Sequence, residues 1–411
     1  MAEDRAGLFD EWTRDYALLS LRLDRLAPGT VDAWTGPAEW RDAVLREPEP
    51  SAPDLEHAAT ALLDRLPAMG YAQEREHYLR RQVAALQAST RLLQGETMSL
   101  TEQARVLFDL EVEMVPEDEF ARAHEALARA LPGNRPLAER LAAYRRQLEV
   151  APEKLPDLLA HIAAYLRART ADRIALPANE SIAVNLVQNQ PWSGYNWYLG
   201  EARSRVELNT DLPVHVHTLV DLMAHEGYPG HHTEHALRET RQYMRDGQAE
   251  YAVQLINTPE CVVSEGIATS ACPVIFPEDA DLVWTIEQLV PGLGIEMDLE
   301  RALAVKRAMW HARSVRCNAA ILLHERGMNV DQASAYLQRW ALLSPKEASK
   351  ALEFIGSPLW RTYSFTYTYG RMLLQPLLQG DDRFAVLERV CSESVYPSLL
   401  KDWASRSSTS A

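Results

Sequence analysis

Residues 221–235, DLMAHEGYPGHHTEH, carry the side chains best suited to chemistry. They include four of the twelve histidines and two glutamates, with no lysine or arginine. A catalytic zinc site usually takes three imidazole or carboxylate ligands and keeps one position open for water. A His followed directly by Glu inside a helix is the first half of the HExxH zinc signature, in which the Glu is the general base and not a ligand. We therefore predict that His225 binds zinc and that Glu226 is the base.

The second histidine of the signature is displaced, because Pro229 stands where HExxH has its second His. His231 is six residues after His225, about 240° around an ideal helix, whereas His232 regains the right face but lies roughly 10.5 Å along the axis. Proline and glycine distort helices, so a two-residue bulge at Pro229-Gly230 would return His231 to the metal. We favour His231 over His232 as the second ligand. The alternative is an ordinary helix end that carries surface histidines.

Glu265 is the candidate third ligand. It is the one charged residue in the run 261–275, CVVSEGIATSACPVI, and therefore faces the interior. Burying a carboxylate costs several kcal/mol unless it is paired or bound to a metal. The alternative is a salt bridge to a distant arginine. A di-iron centre is disfavoured, because it needs Glu-x-x-His on two helices and only Glu74–His77 has that spacing.

A second group of polar residues lies near the carboxyl terminus. Residues 361–373, RTYSFTYTYGRML, place Tyr363, Tyr367 and Arg371 four apart on one helical face. A Tyr hydroxyl can stabilise an oxyanion, and Arg suits a substrate carboxylate. We predict a catalytic role for Tyr367 and a substrate-binding role for Arg371. The alternative is an aromatic core stripe with the arginine at its rim.

The hydrophobic pattern predicts the elements that position these residues. Residues 4–26 and 54–172 have helical spacing, and the pattern is helical again from residue 212. Short β-branched or aromatic runs at 181–187, 195–199 and 205–208 predict a small sheet. The chain is therefore expected to be mostly α-helical, with a small β-sheet before the metal-binding helix. We predict a helical amino-terminal region (1–175) and a catalytic region (176–404) in one continuous unit, followed by a frayed tail (405–411).

Composition limits the possible partners and the compartment. The formal net charge is −16, which argues against nucleic acid and anionic membranes because both need a basic face. No run approaches the roughly 20 apolar residues of a membrane helix, and the first residues do not resemble a signal peptide. The four cysteines are scattered and form no CxxC pair, which is typical of a reducing compartment. We predict a cytoplasmic protein without nucleic-acid or membrane partners.

Several motifs together resemble a bacterial family known as domain of unknown function 885. The family hallmark is His-Glu-x-x-Pro-Gly-His-His, followed by a helix with Glu-Gly and then by Tyr-x-x-Gly. This chain has HEGYPGHH at 225–232, SEG at 264–266 and YTYG at 367–370, and SGYNWYLGEARSRVELNTDLP precedes the first motif. The resemblance covers roughly residues 180–375. Thr368 stands where the family commonly has Lys.

The resemblance implies a mostly helical zincin fold of the gluzincin type. It implies zinc ligands at His225, His231 and Glu265, and a base at Glu226. The expected activity is zinc-dependent hydrolysis of an amide or peptide-like bond in a small substrate. Two alternatives stay open. One is a zinc enzyme of small-molecule metabolism with a non-peptide substrate, and the other is a catalytically idle helical protein that binds metal.

Overall fold

The chain is built mainly of α-helices, as the sequence predicts. A computed structural model describes residues 5–190 and 192–409. No helix in these residues is long and apolar enough to cross a membrane. The helices are α1 (Glu11–Leu26), α2 (Ala38–Arg46), α3 (Ala52–Arg65), α4 (Gln73–Leu93), α5 (Leu100–Phe108), α6 (Glu117–Ala130), α7 (Leu137–Arg146), α8 (Leu155–Ala171), α9 (Val216–Glu226), α10 (His231–Leu237), α11 (Pro259–Ile275), α12 (Ala280–Gln288), α13 (Leu299–His311), α14 (Val315–Glu325), α15 (Val330–Trp340), α16 (Pro345–Gly356), α17 (Ser364–Leu374), α18 (Arg383–Val390) and α19 (Pro397–Thr409).

Two small sheets lie among the helices. Their strands are β1 (Val31–Trp34), β2 (Ser181–Val187), β3 (Gly194–Gly200), β4 (Arg203–Asn209) and β5 (Val253–Leu255). The three-stranded sheet has the order β2-β4-β3, with β2 parallel and β3 antiparallel to β4. It occupies the stretch where the sequence predicts strands. The pairing of β1 with β5 is not predicted, because these strands are short and more than 200 residues apart.

The amino-terminal helices pack directly on the rest of the chain. Trp12, Tyr16 and Tyr78 form a buried core with Tyr243 and the residues of β5. The guanidinium of Arg75 in α4 also binds the buried carboxylate of Glu250, at 2.6 Å. The predicted boundary at residue 175 falls in the connection between α8 and β2. The regions on its two sides share this buried core and the sheet formed by β1 and β5.

The tail predicted to fray (405–411) begins within the last helix. Helix α19 continues through Thr409, and the Ser405 hydroxyl donates to the Lys401 carbonyl at 2.9 Å, as a helical serine does. Residues 410–411, the rest of that predicted tail, lie outside the described residues.

Helix α11 is buried on nearly every side and packs along α17 through two glycines. A Cβ atom placed on Gly370 would lie 2.4 Å from the carbonyl oxygen of Val262 and 2.7 Å from the amide nitrogen of Gly266. Real Cβ atoms do not come so close to backbone, so only glycine fits at this contact. The two backbones therefore touch, which brings α17 within side-chain reach of Glu265.

We expect Gly370→Ala to lower the free energy of unfolding by roughly 1–3 kcal/mol, the usual cost of forcing extra volume into a packed interior. Urea unfolding followed by circular dichroism measures this. The matched control is Gly356→Ala at the end of α16, where an added Cβ meets nothing within 4 Å. Equal stability of the two variants would contradict the close helix contact.

Candidate metal centre

A break in the helix positions the two candidate histidine ligands. Helix α9 ends at Glu226 and α10 begins at His231, with a cis peptide bond between Tyr228 and Pro229. The chain folds back so tightly that a Cβ on Gly230 would lie 2.0 Å from the carbonyl oxygen of His225. The expected bulge within one continuous helix is therefore wrong. A turn between two helices brings His231 back beside His225.

Three side chains converge on one point. The Nε2 atom of His225 lies 3.5 Å from Oε2 of Glu265, and Nε2 of His231 lies 3.8 Å from Oε1. The two imidazole rings are nearly perpendicular, with centroids 4.9 Å apart. Two donors bound to a tetrahedral zinc ion at about 2.1 Å are about 3.4 Å apart. The spacing of these donors fits a single zinc ion after small adjustments.

The carboxylate of Glu265 has one occupied and one free oxygen. The Tyr363 hydroxyl donates to Oε1 at 2.7 Å. The other oxygen, Oε2, is buried without a hydrogen-bond partner among the described residues and faces His225. An unpaired buried acceptor costs about 1–3 kcal/mol, so Oε2 is suited to a metal ligand. In the described parts of the chain no arginine pairs with Glu265, as the salt-bridge alternative requires.

A chain of polar contacts orients His231. The Ser264 hydroxyl donates to Glu234 at 2.6 Å and lies 3.2 Å from Nδ1 of His231. Because this hydroxyl donates to Glu234, it accepts from Nδ1–H, which leaves the lone pair of Nε2 free for a metal. Burial opposes ionisation of Glu234, but the guanidinium of Arg238, at 2.9 Å, lowers its pKa to about 2.

The two other histidines of the motif are engaged elsewhere. His232 is fully buried, with Nδ1 2.8 Å from the Ser204 hydroxyl and Nε2 3.0 Å from Glu180. Both of its ring nitrogens therefore have protein partners. Nδ1 of His235 lies 2.7 Å from the amide nitrogen of Gln254. The structure thus brings His231 to the convergence point and keeps His232 in a separate buried network.

Glu226 lies at the same point as the three converging side chains, since donor atoms of His225, Glu226 and His231 all lie within 4.8 Å of one another. Its Oε1 atom is 4.0 Å from Nε2 of His225, and the residue is 5% exposed. The side-chain amide of Asn196 in β3 donates to the Glu226 carbonyl at 2.6 Å, which fixes the end of α9 against the sheet. Burial raises the pKa of Glu226 to about 7. A carboxylate with a pKa near neutrality is well suited to proton transfer.

The charges at this point favour a cation. Burial and the adjacent His231 lower the pKa of His225 well below its ordinary value, so this ring is neutral, as a ligand must be. Burial also favours the neutral form of His231, but the carboxylates of Glu234, Glu265 and Glu226 outweigh it and raise the pKa of His231 to about 9. The same negative potential attracts a divalent metal ion.

The three converging side chains open into a cavity of about 180 Å³. Aromatic rings form part of its wall, among them Trp192, Phe354 and Trp360. Tyr367 also lines the cavity, is 39% exposed, and stacks on His225 with ring centroids 6.4 Å apart. A molecule bound in this cavity would therefore contact Tyr367 beside His225.

Arg371 is not among the residues that line the described cavity. Its guanidinium lies 4.0 Å from the ring centroid of Trp310 in α13. Burial lowers the pKa of Arg371, and attraction to Asp221 partly offsets this effect. The predicted substrate contact of Arg371 is therefore corrected. The guanidinium stacks on Trp310 and does not line the cavity.

The sequence reasoning missed several residues that support the centre. The spacing of Tyr363 puts it on the same helical face as Tyr367, but it does not indicate that the Tyr363 hydroxyl binds Glu265. Glu234 and Arg238 are spaced as an i,i+4 ion pair, a signal that the sequence does contain. Asp32, which also lines the cavity, carries no local signal, because its strand reaches the site only through its pairing with β5.

Comparisons with known proteins support the fold. No protein-family model matches the chain, and no curated protein matches it. A candidate lipoprotein from Colwellia psychrerythraea is similar in structure, with a TM-score of 0.53, 15% identity, and coverage of 87% of this chain and 71% of that one. A candidate lipoprotein of unknown function from Shewanella oneidensis has a TM-score of 0.50, 13% identity, and coverage of 97% and 90%. At such identities the likeness concerns the fold alone.

We expect His231→Ala and His232→Ala to fail in different ways. His231→Ala removes a ligand, so zinc content should fall while the fold persists. His232→Ala should keep zinc but lower stability by about 1–3 kcal/mol, because Glu180 loses a buried partner. Elemental analysis of the dialysed variants measures their zinc content, and urea unfolding measures their stability. If His232→Ala loses its zinc while His231→Ala keeps it, His232 and not His231 is the second ligand.

Tyr363→Phe removes the donor that orients Glu265, so zinc affinity should fall roughly 10–100-fold, as is typical for such supporting groups. Competition with a chromophoric chelator measures the affinity. The matched control is Tyr369→Phe on the same helix, whose hydroxyl instead contacts the backbone of Glu113. Equal affinities in the two variants would show that Tyr363 does not position the ligand.

Proposed function

We propose that this protein is a zinc-dependent hydrolase of an amide or peptide-like bond. The observation that carries the proposal is the convergence of His225, His231 and Glu265 at a cavity wall that also holds the carboxylate of Glu226. When bound there, zinc would polarise the scissile carbonyl and make water more acidic. The proposal also draws on the motif resemblance, while the structural neighbours add only the fold.

Glu226 would move the proton during hydrolysis. Its carboxylate would accept a proton from the attacking water and then donate it to the leaving nitrogen. Burial raises the pKa of Glu226 to about 7 in the metal-free site, which brings both protonation states within reach near neutral pH. The hydrogen bond from Asn196 to the Glu226 backbone keeps the carboxylate in place beside His225.

Two tyrosines of α17 would have separate roles. Tyr367 stacks on His225 and is partly exposed, so its hydroxyl can donate to the oxyanion of the tetrahedral intermediate. Tyr363 is buried and holds Glu265. The aromatic wall would exclude water and strengthen these interactions.

The site favours a catalytic protein over an idle one. Structural zinc sites are usually closed by four protein ligands, whereas catalytic sites have three and an open position. Here three donors converge beside a cavity. The small volume of about 180 Å³ favours a small peptide or amide over a folded protein. A cytoplasmic location is part of the proposal, and all four cysteines are free and buried.

We expect Glu226→Gln to keep its zinc and to lose about 10²–10⁴-fold in turnover, because the shape remains and the base is removed. Elemental analysis and a panel of aminoacyl and peptidyl anilides provide the two measurements. The matched control is Glu111→Gln, at an exposed position outside the cavity. An active wild-type enzyme whose Glu226→Gln variant turns over equally fast would defeat this mechanism.

A further inference from the structure

Asp32 is a cavity-wall carboxylate that the proposed hydrolysis does not use. It lies in β1 and accepts a hydrogen bond from the hydroxyl of Tyr195 in β3. Over residues 5–190 and 192–409 it forms no ion pair with lysine or arginine. A carboxylate at a partly desolvated wall is stabilised by a positive partner. Asp32 therefore has the capacity to bind a cationic group of a substrate.

Two buried amide oxygens in the same wall are also unpaired. Asn196 and Gln254 are 7% and 9% exposed, and their oxygens Oδ1 and Oε1 have no hydrogen-bond partner among the described residues. Their amide nitrogens are engaged, by the Glu226 carbonyl in one case and by His235 in the other. Both oxygens are buried, in residues that line the cavity, so they add partial negative charge to this wall without forming an open hydrogen-bonding surface. Together with the carboxylate of Asp32 they favour a positively charged group over an anionic one.

The cavity also has an excess of negative charge. Besides its histidines, the wall holds five carboxylates (Asp32, Glu226, Glu260, Glu265 and Glu353) and the cationic side chains Arg238 and Lys350. Of the cations, Arg238 is paired with Glu234 and Glu260, and Lys350 contacts Asp211 at 3.3 Å. A zinc ion would balance Glu265 and Glu226. Asp32 would still lack a lysine or arginine partner among the described residues.

Aromatic rings next to Asp32 add to this preference. Trp192 and Tyr195 lie in the same wall, with ring centroids 5.4 Å apart. The faces of such rings attract cations. A protonated amine at Asp32 would therefore meet a carboxylate beside the ring of Tyr195, in a wall that Trp192 extends.

We propose that the substrate carries a free, protonated amino group next to the scissile amide, and that Asp32 binds this group. The inference rests on the proposed function and makes the enzyme one that removes an amino-terminal residue. The small cavity places the amine close to the bond that is cut. Water is added across the C–N bond: its hydroxyl goes to the carbonyl carbon, and the proton taken by Glu226 goes to the leaving nitrogen. The ammonium at Asp32 keeps its protons throughout.

Binding tests the inference separately from turnover. Calorimetry on the zinc-loaded Glu226→Gln protein compares leucinamide with N-acetyl-leucinamide, which lacks the charge. We expect leucinamide to bind roughly 10–100-fold more tightly, the range of a charged hydrogen bond. Adding Asp32→Asn should remove this preference, whereas Asp42→Asn, at an exposed position outside the cavity, should keep it. Equal binding of the two amides, or no binding of leucinamide, would overturn the inference.

Turnover distinguishes failure of this inference from failure of the proposed function. The wild-type enzyme should hydrolyse leucine p-nitroanilide faster than its N-acetyl derivative, and Asp32→Asn should remove this difference. Circular dichroism of the variant reports whether it is folded, and Asp42→Asn should keep the wild-type preference. If Glu226-dependent hydrolysis is equal for both anilides, the amine inference fails and the hydrolase proposal stands. If neither anilide is cleaved, the hydrolase proposal loses its support and the binding comparison still decides the role of Asp32.

Discussion

Glu265 lies in a helix that is buried on nearly every side, where a carboxylate is stable only among compensating partners. The site is arranged around this requirement. The contact between Gly266 and Gly370 brings α17 close enough for Tyr363 to bind one carboxylate oxygen. The break before α10 brings His231 beside His225, so that one imidazole faces each carboxylate oxygen of Glu265. The neighbouring carboxylates then make the point attractive to a divalent cation, which would complete the compensation.

The cavity is assembled from parts of the chain that are far apart in sequence. The helices after residue 215 supply the converging ligands, whereas β1 supplies Asp32 and pairs with β5. The ion pair between Arg75 and Glu250 joins the same two regions. The amino-terminal helices therefore belong to the same structural unit as the cavity, since α1 packs against β1, which carries Asp32. The two similar structures likewise match most of this chain.

The sequence contains the parts of this site that depend on local chemistry. The adjacent His225 and Glu226 are visible as half of a motif, and the uncharged run around Glu265 marks a buried carboxylate. The choice between two neighbouring histidines depended on a helix break that periodicity cannot describe, because the turn is set by the close approach of Gly230 to the chain before it. The spacing of Arg371 could not reveal its contact with Trp310, because that residue lies in another helix. The position of Asp32 at the cavity could not be predicted, because β1 pairs with a strand more than 200 residues away.

The most direct test of the account is a crystal structure of the zinc-loaded protein with anomalous diffraction recorded on both sides of the zinc absorption edge. The account predicts one strong anomalous peak, at about 2.0–2.2 Å from Nε2 of His225, Nε2 of His231 and a carboxylate oxygen of Glu265. Glu226 should lie outside the coordination sphere and face the open position. A peak held by His232 or His235, or no peak between these three residues in a zinc-saturated crystal, would contradict the central claim.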